Sequence, residues 1–188
     1  MHLYYYPNRP MLIPPNQTFI RKLEDSGQYV GELKWNGDNV LIDTNTMEFW
    51  NRYKQPHRFI PNEAMKEELS KWPKRAMVNA ELMHYRTKDI KNIIIVHCIM
   101  VWNDHPLIDK TWGDSRKIIE EHFQSVPCVQ VSETFQTGFW ERFQQTDGTT
   151  IEGIILKKLT GKLVFSTTPI KDVSYMFKVR KPSKKYQF

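Results

Sequence analysis

Cysteine is nearly absent, with only Cys98 and Cys128 in 188 residues, and neither belongs to a CxxC pair or a Cys/His cluster. That pattern argues against a disulfide framework or a structural zinc site and points to a reducing, cytoplasmic setting. Long apolar runs are missing too. The longest, residues 93–102, is interrupted by His97 and falls far short of the ~20 residues that span a bilayer, so no membrane association is expected. HLYYYPNRP at the start lacks the organisation of a signal peptide. No repeat, low-complexity tract or internal linker breaks the chain. It is therefore read as one compact domain, 1–188, acting as a monomer, with the polar tail KPSKKYQF expected to fray from about residue 182.

What is present is positive charge. Lys and Arg number 27 against 21 Asp and Glu, giving a net charge of +6 and a pI near 9.2. Such a balance favours a polyanionic partner without requiring one. Helices are predicted over residues 62–72, where Asn62 follows Pro61 as an N-cap, over DSRKIIEEHFQ from Asp114, and over GFWERFQQ. Segments 28–34, 38–43, 75–83, 92–102, 128–135, 151–158, 161–167 and 174–180 read as strands, rich in β-branched and aromatic residues between turn signals. Asn36 and Gly37 supply turn chemistry for a hairpin between the first two. The fold class is α+β with mostly antiparallel sheets and a few flanking helices.

Lys34, in ELKWNGDN, stands at the end of an alternating strand, where a side chain is held rigidly and is open to a ligand. A lysine amine attacks phosphorus only when neutral, and at an ordinary pKa only ~0.1% is neutral at physiological pH. Nearby cations lower that pKa. Lys178 and Arg180, at i and i+2 of a strand, share one face and suit both that task and a phosphate grip. Glu81 and Glu152 are carboxylates flanked by apolar residues and so need a partner, whether a metal, a hydroxyl or a structural cation. Glu32 shares a strand face with Lys34. Each residue also has an ordinary reading: a solvated strand-end lysine, an edge-strand cation, a structural salt bridge, a surface arginine at Arg52, a core histidine at His97.

Taken in order, KWNG (34–37), FWNRYK with Arg52, VNAELMHY with Glu81, IIIVHCIMVWNDHPL, IEGIILKK with Glu152 and MFKVRKP with Lys178 and Arg180 resemble the motif series of the covalent nucleotidyltransferases. That superfamily comprises ATP-dependent DNA ligases, RNA ligases and mRNA capping enzymes, and the resemblance covers residues 9–182. It implies a ligase-type adenylation domain in which Lys34 attacks the α-phosphate of ATP, Lys178 and Arg180 hold that phosphate, and Gly37 lies at the nucleotide. It further implies that Glu81 and Glu152 contact the ribose or hold Mg2+, that Glu32 accepts from the adenine amine, that Arg52 contacts the nucleotide or the broken strand, and that His97 stacks on the base, with Cys98 replacing an acid.

Two departures bear on the substrate. Asn36 stands for the aspartate of KxDG, and Asn39 for a following arginine. Asparagine at the latter position resembles RNA ligases, whereas RPMLI and HPLIDKTWGDSRKIIEEHF resemble DNA ligases. The expected function is an ATP-dependent polynucleotide ligase sealing nicked DNA. The alternatives are an RNA ligase and a binding module that has lost catalysis. The sequence stops after the last motif, so no OB-fold domain is expected in the chain. A separate protein, a missing segment or the chain's own basic face would then serve as clamp.

Overall fold

The computed structural model describes residues 4–182, so the tail expected to fray lies, but for its first residue, outside the described residues. In chain order the elements are β1 (Arg9–Ile13), α1 (Gln17–Asp25), β2 (Tyr29–Trp35), β3 (Asp38–Asp43), β4 (Glu48–Asn51), α2 (Glu63–Ser70), β5 (Met77–Met83) and β6 (Ile93–Trp102). There follow β7 (His105–Pro106), α3 (Trp112–His122), β8 (Val129–Val131), β9 (Thr134–Phe135), α4 (Phe139–Gln145), β10 (Ile151–Lys158) and β11 (Asp172–Arg180). They divide into two compact units. The first, here the lysine unit, holds Arg9–Asn36, Glu133–Gly161 and the residues from Lys171 on; the second holds Gly37–Ser132, Lys162–Ile170 and the residues before Arg9.

The lysine unit is built on a five-stranded sheet in the order β1-β11-β10-β2-β9, antiparallel except for the parallel β1/β11 pair. Strand alternation sorts its two faces. Leu33, Ile154, Leu156, Phe177 and Val179 turn to one side, where they pack with Ile20 of α1, Phe135, and Phe139 and Phe143 of α4. Burying each such side chain contributes ~1.5–3 kcal/mol. Glu24 of α1 ties the two helices together, its carboxylate accepting from the Gly138 and Phe139 amides that open α4. The intervening residues, Glu32, Lys34, Lys157, Lys178 and Arg180, occupy the opposite face.

The second unit holds a six-stranded sheet, β4-β3-β5-β6-β7, with β8 parallel to β6. Its central strands are apolar almost throughout: Val40, Leu41, Ile42, Val78, Ala80, Leu82, Ile94, Val96 and Ile99 are all fully buried. That is the composition of strands covered on both faces. Met65 and Leu69 of α2, and Trp112 and Ile119 of α3, are buried with them.

Several sequence expectations are corrected. Segments 28–34 and 38–43 do form strands, but they do not make a hairpin: β2 pairs with β10 and β9, and β3 with β4 and β5. Asn36-Gly37 is instead where the chain leaves one unit for the other. Residues 128–135 split between β8 and β9, which lie in different sheets. Residues 161–167 alternate correctly, with Leu163 and Phe165 buried and Val164 exposed, but only isolated bridges at Lys162 and Ser166 pair them. Alternation reports sidedness; a strand also needs a continuous partner. The helix α1, capped by Asn16, has few apolar residues to signal it. The helix read from Asp114 starts at Trp112, because Asp114 is the third helical residue and closes a capping box whose N-cap is Thr111.

In that box the Thr111 hydroxyl accepts from the Asp114 amide while the Asp114 carboxylate accepts from the Thr111 backbone and hydroxyl. The Thr111 backbone bond holds the Asp114 carboxyl below its usual range, with the hydroxyl adding to it. Thr111→Ala should lower stability by about 1 kcal/mol, read as a melting-temperature drop of about 2–4 °C, with Thr111→Ser near wild type. A depressed carboxyl stabilises above its unfolded pKa and loses that contribution as pH falls through its folded value. The gap between Thr111→Ala and wild type should therefore narrow below about pH 4; a gap constant down to pH 2 would contradict this account.

Candidate active site

The polar face of the lysine unit is arranged in rows across three strands. Lys34 lies beside Gly153, which lies beside Arg180; in the next row Glu32, Ile155 and Lys178 stand side by side. Glu152 precedes Gly153, so plain alternation would turn it into the apolar core. The register shift between Ile151 and Gly153 prevents this. The bulge leaves Glu152 as an extra residue and re-aims its side chain. Its Oε2 accepts from Lys34 Nζ at 2.5 Å and lies 3.1 Å from Arg180 Nη2. All three side chains are more than four-fifths buried.

Gly153 makes this geometry possible. Its φ is +158°, and a Cβ there would sit 1.9 Å from the Val179 carbonyl oxygen on β11. The Glu-Gly pair is thus one device, a bulge that aims the acid and a glycine that lets β11 approach.

Burial pushes the Lys178 ammonium below its usual range; Asp172 opposes this, and Arg180, Arg9 and Lys34 add to it. Glu32 is buried, and Lys157 Nζ donates to both its carboxylate oxygens at 2.8 Å. Lys157 was not among the residues singled out from the sequence. It lies two residues beyond Ile155 on the Lys34 face, a placement that depends on the pairing of β10 with β2 and so could not be read from the sequence.

Asn36 closes the lysine strand onto the start of β10. Its backbone amide donates to the Thr150 carbonyl at 2.9 Å and its side-chain amide to the Thr149 carbonyl at 2.7 Å. Asp147 holds that loop from within, one carboxylate oxygen accepting from the Thr149, Thr150 and Ile151 amides. Both contacts of Asn36 are donations to carbonyls. An aspartate side chain could not make the second.

In the second unit the Gly37 amide donates to Glu81 Oε1 at 2.9 Å. A Cβ on Gly37 would meet the Leu82 carbonyl oxygen at 2.6 Å and Glu81 Cγ at 2.7 Å, so glycine is required by this approach to β5 and not by a hairpin turn. Asn39 lies opposite Glu81 and accepts from the Asn79 side chain. His97 is half-buried at a register shift of β6 between Val96 and Cys98. Arg52 is exposed in the turn after β4. Among the described residues no group of three or more His, Cys, Asp or Glu side chains could hold a metal ion, and none of the helices is long and apolar enough to cross a membrane.

Asn36→Asp should be more destabilising than Asn36→Ala, because it sets a carboxylate against the Thr149 carbonyl instead of merely removing a bond of about 0.5–1.5 kcal/mol. Thermal melts of both variants above pH 6 check the order, and an aspartate variant as stable as wild type would remove the donor requirement. Gly153→Ala should cost more than either, about 2–4 kcal/mol, since the clash is with backbone; an unchanged melting temperature would show that the bulge tolerates a side chain.

No protein-family profile and no curated protein sequence matches the chain. Among solved structures, a mycobacterial DNA ligase D complexed with ATP and MES superposes with a TM-score of 0.66 at 17% identity, over 92% of this chain and 60% of that one. A Lig E DNA ligase gives 0.58 at 16% identity, over 82% and 62%. The ATP-dependent DNA ligase of bacteriophage T7, in complex with ATP, gives 0.54 at 14% identity, over 93% and 68%. This chain thus spans about three-fifths of the length of the first two. Its fold is the α+β nucleotidyltransferase fold found in the adenylation domains of ATP-dependent DNA ligases.

Proposed function

We propose that the chain is the nucleotide-transfer core of an ATP-dependent polynucleotide ligase, with DNA as the favoured polymer. The observation that carries this is the Lys34–Glu152–Arg180 constellation, on a fold shared with ligases solved in complex with ATP. Lys34 Nζ, once deprotonated, attacks the α-phosphorus of ATP; a P–N bond forms and pyrophosphate leaves. AMP then passes from the lysine to a 5′-phosphate, and a 3′-hydroxyl displaces it to form the phosphodiester. Glu152 orients the lysine amine before ATP arrives. Arg180 and Lys178 bind the α-phosphate oxygens, where a planar guanidinium is well matched to phosphate.

The remaining assignments follow the resemblance. A carboxylate has about four acceptor positions, so Lys157 can hold Glu32 in place while another lone pair takes the adenine amine. Glu81 contacts the ribose or metal, His97 the base, and Arg52 the nucleotide or the broken strand. Magnesium is bound elsewhere through one or two carboxylates plus substrate phosphates, and Glu152 fits as such a single carboxylate. There the ion would offset charge on the departing pyrophosphate.

Incubation with ATP and Mg2+ should add the mass of one AMP, through an acid-labile, base-stable bond, and Lys34→Ala should add none. Arg180→Ala, Lys178→Ala and Glu152→Ala should slow adduct formation by about 10²-fold, as when a preorganised contact to a charged transition state is lost. Intact-mass spectra without adduct across several pH values would end the active-enzyme reading. GTP should substitute poorly, since guanine offers a carbonyl where adenine offers an amine. Sealing of a nicked DNA duplex against a nicked RNA of the same sequence decides the polymer.

A further inference from the structure

Beyond the nucleotide chemistry, the second unit carries a basic and aromatic surface made by two loops. Residues 51–58 read NRYKQPHR and residues 84–91 read HYRTKDIK, so sixteen residues hold six Lys and Arg against one acid. The net charge of the whole chain is +6; much of its excess is concentrated here. The loops are locked together by rings. Phe59, buried, meets His84 edge-on at 5.0 Å, and His84 meets Tyr85 at 4.5 Å. The Arg58 guanidinium lies 4.3 Å above the Tyr85 ring. Arg86 pairs with Asp38 at 2.8 Å, and Asp38 is the residue that follows the KWNG motif.

Tyr85 is 40% exposed and Tyr53 is 70% exposed. A solvent-facing aromatic ring with a guanidinium upon it is a flat cationic platform, the combination on which unpaired bases stack while nearby cations follow the phosphates. His57 adds no charge at neutral pH: burial lowers its pKa, Arg58 and His84 reinforce that, and Asp38 opposes it. The positive potential rests on arginine and lysine and persists across physiological pH.

We infer that loops 51–58 and 84–91 form a nucleic-acid surface that takes the strand at a break, with Tyr85 and Arg58 stacking on an unpaired or frayed base and Arg58 and Arg86 contacting phosphates. Recognition of the break rests on the ligase reading; binding itself does not require catalysis, so the two fail separately.

The test uses the full chain and fluorescent DNA as nicked duplex, intact duplex and single strand, with affinity measured from about 50 to 200 mM salt. Arg58→Ala with Arg86→Ala should weaken nicked-duplex binding by at least tenfold and flatten the plot of log affinity against log salt by about 2, since each duplex phosphate contact contributes about 0.9. Tyr85→Leu should cost about five- to a hundredfold on single strand and little on intact duplex, whose bases are stacked already. Arg58→Lys with Arg86→Lys should keep the salt slope yet lose single-strand affinity; with Tyr85→Leu it carries the test should the alanine pair misfold. Lysyl-AMP formation should stay within twofold of wild type in every variant. Unchanged affinity and slope in the arginine variants would overturn the inference, as would equal Tyr85→Leu losses on intact duplex and single strand. Loss of lysyl-AMP formation alongside binding would also overturn it, by placing these residues at the nucleotide. A wild type that forms no lysyl-AMP but shows these binding differences would sink the ligase reading and leave the surface standing.

Discussion

Glu152 Oε2 is shared by the Lys34 ammonium and the Arg180 guanidinium, and the polar face of the lysine unit depends on that sharing. Cations crowded on one face repel each other, and taking them out of water costs more unless a carboxylate is held between them. β10, which supplies that carboxylate, lies between the strands that carry the two cations. The acid reaches the correct face only because the strand is bulged, and the bulge exists only because Gly153 lets the Val179 carbonyl approach to where a Cβ would otherwise be. A backbone irregularity of one residue thus sets the electrostatics of three side chains.

A second buried pair stands on the same face, Glu32 two residues from Lys34 on β2 and Lys157 two residues beyond Ile155 on β10. Glu32 and Lys157 are almost completely out of solvent, yet their geometry is that of a well-satisfied ion pair. Such a pair contributes little net stability, but removing one partner strands a buried charge at about 3–5 kcal/mol. It is consequently suited to holding one carboxylate fixed in place. The Lys34–Glu152–Arg180 cluster and the Glu32–Lys157 pair give one face its polarity, in the middle of a sheet whose other face carries the apolar cluster.

Asn36 shows how a departure from a motif can be a local requirement. The sequence alone left open whether asparagine for aspartate marks a degenerate site. In the fold, the asparagine donates to the Thr149 carbonyl, and Asp147 braces the same loop. The substitution is matched to its surroundings, because a carbonyl needs a donor and only the amide is one.

Much was legible without coordinates. The α+β class, most strands, the Asn62 cap and the placement of Lys34, Lys178 and Arg180 on alternate positions of strands follow from local rules: side-chain alternation, capping chemistry and β-branched runs act over a few residues and are written in them. What could not be read was anything set by a partner distant in sequence. Whether 28–34 paired with 38–43 or with 151–158, whether 161–167 found a continuous neighbour, which face Glu152 took, and that Lys157 would meet Glu32 across 125 residues were all decided by strand pairing and register. Period-2 patterns specify which residues share a face but not which strand lies beside them, and a one-residue shift exchanges the two faces. The sequence determined the inventory of groups and their local sidedness; only the tertiary structure, by choosing the pairings and placing the bulge, determined which charges meet.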